Sequence, residues 1–178
     1  PESRSETALH HSVTHLLHAV LKEVLGEHVK QAGSLVTSQR LRFDYTHFSP
    51  LVPGEKNRIE ERVNQKIREN LKVSTNELSI EKAIKDGAVA LFGEKYGENV
   101  RVVSMGDFSK ELCGGTHTAA TGNIGLFKII SEGGIASGVR RIEAVAGKSA
   151  YYAMQEENKT LISIRSLLKV SPEEEINR

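Results

Sequence analysis

The chain has 178 residues, 38% of them apolar and 26% charged, the composition of an ordinary soluble globular protein. With 24 Lys plus Arg against 23 Asp plus Glu, no bulk basic field announces nucleic acid, although a local patch around Lys128, Arg140, Arg141 and Lys148 can still meet phosphates. The single cysteine excludes an internal disulfide and suits a reducing compartment. No apolar run is long enough to span a bilayer or to serve as a secretory leader, so the expected location is the cytoplasm, away from membranes. Beginning at Pro1 just ahead of a strong helix, the sequence reads as a piece of something longer, or as a processed chain.

The first predicted element is a helix in "SETALHHSVTHLLHAVLKEVLGEH", where Leu9, Val13, Leu16, Val20 and Val24 recur at helical spacing. Ser5 or Thr7 is positioned to cap its start and Gly26 to end it. "GSLVTSQRLRFDYTH" then alternates, with Leu41, Phe43 and Tyr45 facing one way and Arg40, Arg42 and Asp44 the other. That pattern predicts a half-buried hairpin turning near Ser38. Pro53 opens a charged helix running to Lys72, with Ile59, Val63, Ile67 and Leu71 in step. Short strands follow in "VSTNELSI", "NVRVVSM", "GLFKIIS" and "GVRRIEAVAG", with a short helix near Ala83, Ile84 and Ala88. The helical period returns from Lys148 to Val170 through Tyr151, Met154, Leu161, Ile164 and Leu168. The expected architecture is α+β: helices packed on a mostly antiparallel sheet, with a long, projecting C-terminal helix.

The chemistry concentrates in two short segments. His11 and His15 stand at i, i+4 on the first helix, where Cβ atoms lie about 5–6 Å apart. Cys113 and His117 share that offset, but Gly114 and Gly115 between them favour a tight loop that turns both side chains inward. Three imidazoles and one thiolate suit tetrahedral zinc. Other readings of the same residues stay open. Cys113 is also consistent with a small buried hydrophobe, or with a nucleophile activated by His117. His18 continues the His11 and His15 face and is an alternative ligand, while His10, His28 and His47 read as ordinary residues.

The segments "HSVTHLLHAVLKEVLGEHVKQAGSLV", "LRFDYTH", "ALFGEKYGENVRVVSMGDFSKELCGGTH" and "TGNIGLFKIISEGGIASGVRRIEAVAG" resemble the editing domain of alanyl-tRNA synthetases. More distantly they resemble free-standing alanyl-tRNA editing proteins and the editing domain of threonyl-tRNA synthetases. The resemblance covers roughly residues 7 to 147. It implies an editing domain at 1–147 and, at 148–178, a helix leading toward a further domain of an ATP-dependent alanine–tRNA ligase. The family's upstream β-barrel is not visible in the sequence.

The implied activity is hydrolysis of the ester in Ser-tRNA(Ala) and Gly-tRNA(Ala), with one zinc ion as cofactor. Such an activity has a physical rationale. A site built for alanine rejects glycine by only about 1–3 kcal/mol, and a hydrophobic pocket rejects an added hydroxyl by roughly a hundredfold. On the family pattern the metal ligands fall on His11, His15, Cys113 and His117. Thr14 matches the residue that senses the serine hydroxyl, and Gln31 a glutamine of the editing pocket; without the resemblance, Thr14 reads as a threonine bonded back to its own helix. Ala32 departs from the lysine or other polar residue common in relatives. Backbone amides at 114–116 are candidates to hold the oxyanion, and Arg140 or Arg141 to meet acceptor-end phosphates of the tRNA. The C-terminal helix could pair two copies of a full synthetase or stay monomeric. Two other functions fit the same residues: a hydrolase using Cys113 as nucleophile, and a zinc-stabilised tRNA-binding module that is inactive alone.

Overall fold

The computed structural model describes residues 2–90 and 96–169; Val170 and the 91–95 part of the third motif lie outside the described residues. Helix α1 runs from Glu2 to Leu25. It therefore begins ahead of the expected caps: Thr7 sits inside the helix with its hydroxyl donating to the Ser3 carbonyl. Its end is where the sequence placed it. Gly26 adopts a φ of +113°, a conformation glycine enters without Cβ strain.

The hairpin follows as β1 (Gln31–Val36) and β2 (Leu41–Thr46), with Leu41, Phe43 and Tyr45 fully buried. Helix α2 (Pro53–Arg68) stops short of Lys72. Pro53 pre-sets its first turn, and the Glu55 carboxylate accepts the Val52 N–H at 2.9 Å, one half of a capping box. Ile59, Val63 and Ile67 are its buried stripe. Next come β3 (Val73–Ser79), α3 (Ile80–Lys85), β4 (Asn99–Met105) and β5 (Ser109–Leu112). A 3-10 turn at Thr121–Ile124 leads to β6 (Phe127–Ala136), β7 (Val139–Ala146) and α4 (Gly147–Leu168). On α3, Ala83 is buried while Ile84 is exposed. Strand β5 has no counterpart among the expected strands, because four residues are too few for alternation to stand out.

The strands form two antiparallel sheets rather than one: β1-β2-β7-β6 and β3-β4-β5. The class is α+β, as expected. The main core lies between the four-stranded sheet, α2 and the apolar side of α1, where Val13, Leu16, Leu17, Val20 and Leu21 meet Phe43, Phe127 and Ile142. A smaller cluster of Ala83, Ala88, Val100, Val102 and Leu112 holds α3 to the three-stranded sheet. Helix α1 is buried on its other side too. His10, Ser12, Thr14, His15 and His18 are all buried, and part of that polar face packs under β5 and the loop after it. Only the start of α4 is packed, at Ala150; Leu161, Ile162 and Leu167 are exposed. No described helix is long and apolar enough to cross a membrane.

One ion pair ties the hairpin to β7. Arg141 donates from Nε and Nη2 to the two Asp44 oxygens at 2.7 and 2.8 Å, a bidentate geometry. Those hydrogen bonds, and then the guanidinium charge, outweigh the effect of burial and hold the Asp44 carboxyl below its ordinary value. A carboxyl so depressed binds fewer protons folded than unfolded. Its contribution is complete above the unfolded-state value and is lost as pH falls below about 4. Asp44→Asn should therefore lose less thermal stability than wild type between about pH 7 and about pH 3. Equal losses would show that the pair is energetically idle.

Candidate metal centre

Four side chains that are far apart in sequence converge where α1 meets the loop after β5. Ligand atoms of His11, His15, Cys113 and His117 all lie within 4.8 Å of one another. The Cys113 sulfur is 3.4 Å from His11 Nε2 and 3.4 Å from His117 Nε2. Zinc bond lengths of about 2.3 Å to sulfur and about 2.0–2.1 Å to nitrogen put tetrahedral S···N separations near 3.5 Å, so these spacings match. His15 Nε2 is buried and makes no hydrogen bond, an orphaned polar atom facing the cluster. The imidazole centroids of His15 and His117 are 4.9 Å apart, and those of His11 and His117 4.3 Å. The donor set fits zinc.

Local structure explains the convergence. On α1 the i, i+4 spacing stacks His11 over His15. The loop is pinned at both ends. Arg101, on β4, donates from Nη1 to the carbonyls of Gly114 and Gly115, and Ser12 accepts the Thr118 N–H at 3.0 Å. Ser12 Oγ also lies 3.4 Å from His117 Nδ1, which orients that ring. Gly115 passes so close to His11 that a Cβ there would fall on the imidazole. Its own N–H donates to the Cys113 sulfur at 3.4 Å; this amide serves the thiolate and is not free for an oxyanion.

The charge balance favours ligand forms. Burial pushes the Cys113 thiol up, but hydrogen bonds from His11 and His117, with the proximity and charge of His15, outweigh it and bring the thiol down to about 3. Burial lowers His15, yet its approach to Cys113 and its hydrogen bond to Glu111, with their charges, carry it up to about 9. Burial leads in lowering His117, leaving it neutral. The thiolate is already the form a metal needs, while His15 would have to give up its extra proton for a metal to bind.

The remaining sequence candidates divide. Gln31 lines the same cleft of about 480 Å³ as His11, Cys113 and Arg101, with its amide donating to Ser34 at 3.3 Å. Thr14 is buried, and its hydroxyl donates to the His10 carbonyl at 2.8 Å, the helix back-bond that its sequence position allows. Arg140 is held by Glu132, whose carboxylate also accepts the Tyr45 hydroxyl; Arg141 is held by Asp44 on the opposite face of β7. His18 is outside the cluster, its Nδ1 bonded to Glu111 at 3.1 Å. His10 is buried, bonding the Glu6 carbonyl and accepting the Ala146 N–H. His28 and His47, read from sequence as ordinary residues, are each other's partner at 2.9 Å. Sequence reasoning missed Glu111, Arg101 and Ser12. Glu111 had a usable signal, because it sits two residues before Cys113 and alternate residues of a strand share a face.

Residues 100–143 match the family described as threonyl and alanyl tRNA synthetase second additional domain. The chain is 58% identical over 175 residues to an alanine–tRNA ligase of Desulfitobacterium hafniense (strain Y51), covering 98% of this chain and 20% of that protein. With the alanine–tRNA ligase of Xanthomonas axonopodis pv. citri (strain 306) the identity is 55% over 167 residues, 94% of this chain and 19% of the relative. For that of Acetivibrio thermocellus it is 54% over 175 residues, 98% and 20%. The chain is similar to one segment of each of these alanine–tRNA ligases. It spans about a fifth of the length of these relatives, and the resemblance to alanyl-tRNA synthetases read from its motifs extends over nearly all of it.

Gly115→Ala should displace His11 and lower bound zinc well below one per chain while leaving far-UV circular dichroism unchanged. Full zinc content in this variant would show that the loop does not depend on so close an approach.

Proposed function

We propose that residues 1–147 are an editing domain that hydrolyses the ester of tRNA(Ala) mischarged with serine or glycine. The observation that carries this reading is the His11, His15, Cys113 and His117 cluster, in a chain so similar to alanine–tRNA ligases. A zinc ion held there would supply Lewis acidity and a fixed positive charge beside the ester. The protein groups around it give shape and selectivity. Arg101 fixes the loop carbonyls, so Cys113 and His117 keep their direction. Gln31 and Ser34 offer polar groups along the cleft. Thr14 spends its hydrogen on the His10 carbonyl but keeps acceptor capacity on its oxygen, which a serine hydroxyl can use and an alanine methyl cannot.

The partners in this reading are the mischarged tRNA and the remainder of the synthetase in cis. Arg140 or Arg141, on opposite faces of β7, would meet acceptor-end phosphates as a charge oriented by Glu132 or Asp44. A second copy of α4 would cover its exposed Leu161, Ile162 and Leu167 in the full-length protein, where sedimentation would report a dimer. One observation favours a second reading: the Cys113 thiolate lies between two imidazoles, the arrangement of an activated cysteine nucleophile.

Deacylation of Ser-tRNA(Ala), followed with zinc content, separates these. About one zinc per chain is expected, with turnover that falls on chelation and returns with zinc; Gln31→Ala should lower turnover at unchanged zinc content. Turnover that survives chelation but not thiol alkylation would transfer the chemistry to Cys113. Zinc without turnover would mark a tRNA-binding module, inactive without the rest of the ligase. In a tRNA-binding titration one of Arg140→Ala and Arg141→Ala should reduce the salt slope by about one; an unchanged slope in both removes them from the interface.

A further inference from the structure

Strand β5 brings a second residue to α1 beside the cysteine. The Cys113 N–H donates to the Arg101 carbonyl at 3.0 Å, extending the β4–β5 ladder by one residue, so Glu111 and Cys113 point the same way. Facing them on α1 are His11, His15 and His18, at i, i+4 and i+7. Glu111 is 4% exposed. One of its oxygens accepts from His15 Nδ1 at 2.8 Å; the other lies 3.1 Å from His18 Nδ1 and 3.4 Å from the Ser109 hydroxyl. Neither Glu111 nor Ser109 belongs to the four-ligand cluster.

An ionised carboxylate only accepts hydrogen bonds. His15 therefore donates a hydrogen from Nδ1, and Nε2, buried and without a hydrogen bond, is the atom left to a metal on the side of Cys113 and His117. We infer that Glu111 is a positioning residue for the metal-binding His15, fixing its tautomer and ring direction, and that His18 in turn holds the Glu111 carboxylate in place. This inference rests on the metal reading of the cluster. Stability alone is a poor explanation for the arrangement, since replacing buried ionic groups by well-packed apolar ones is often neutral or stabilising. Carboxylate–histidine pairs behind a metal instead raise ligand basicity and set its aim.

The test compares wild type, Glu111→Gln, His18→Gln and the double variant by zinc competition against a chromophoric chelator. The d–d spectrum of the cobalt(II)-substituted proteins gives a second readout. Glu111→Gln should bind zinc roughly 10–100-fold more weakly and shift the cobalt bands. His18→Gln should move both in the same direction by less. The double variant should bind no more weakly than Glu111→Gln, because His18 acts through Glu111. Wild-type zinc affinity and an unshifted cobalt spectrum in both single variants would overturn the inference, whatever happens to their melting temperatures. If Glu111→Gln does not fold, His18→Gln decides alone: weaker zinc binding supports the inference and unchanged binding overturns it. Wild-type protein that takes up no zinc would overturn the metal reading and this inference together, whereas zinc-binding wild type with unchanged variants overturns only the inference.

Discussion

Everything at the site depends on α1 being buried on two sides of different chemistry. Its apolar side completes the main core against the four-stranded sheet and α2. Its polar side, carrying Ser12, Thr14, His15 and His18, is just as hidden. Buried polar groups left without partners cost about 1–3 kcal/mol each, so this face must be met by groups that answer it one by one. Strand β5 and the loop behind it supply them: Glu111 for His15 and His18, Thr118 for Ser12, Cys113 for His11. The atom left without a partner on His15 is the one that faces the cluster.

The second sheet serves this requirement. Three strands are a small platform with a modest core of their own, yet they hold β5 and the following loop at a fixed height over α1. Arg101 on the neighbouring strand fastens the loop from behind. Ser12 fastens it from the helix, so the two halves of the cluster are positioned by rigid elements and short contacts. Ligand geometry that is pre-set in this way reduces the ordering a bound ion has to impose.

The clustered residues were legible in the sequence because both halves are local: His11 and His15 one turn apart, Cys113 and His117 either side of two glycines. The hairpin, the start of α2 and the stop at Gly26 were equally local. What escaped depends on tertiary neighbours. Nothing near Arg101 in the chain signals that it binds carbonyls 13 and 14 residues later. The division into two sheets follows from β7 pairing with β2, across nearly a hundred residues, which periodicity does not encode. Helix α1 begins earlier than its apolar pattern suggested, and His28 finds His47 only through the hairpin. Glu111 is the intermediate case, because strand alternation would have linked it to Cys113 had the four residues of β5 been read as a strand.

The central claim is that one metal ion is held by α1 and the 113–117 loop together. X-ray absorption at the zinc edge of the zinc-loaded chain tests it most directly. The account predicts a four-coordinate shell of one sulfur at about 2.3 Å and three nitrogens at about 2.0–2.1 Å. A shell without sulfur, or one dominated by oxygen, would show that Cys113 and the histidines do not act as a single site and would contradict the account.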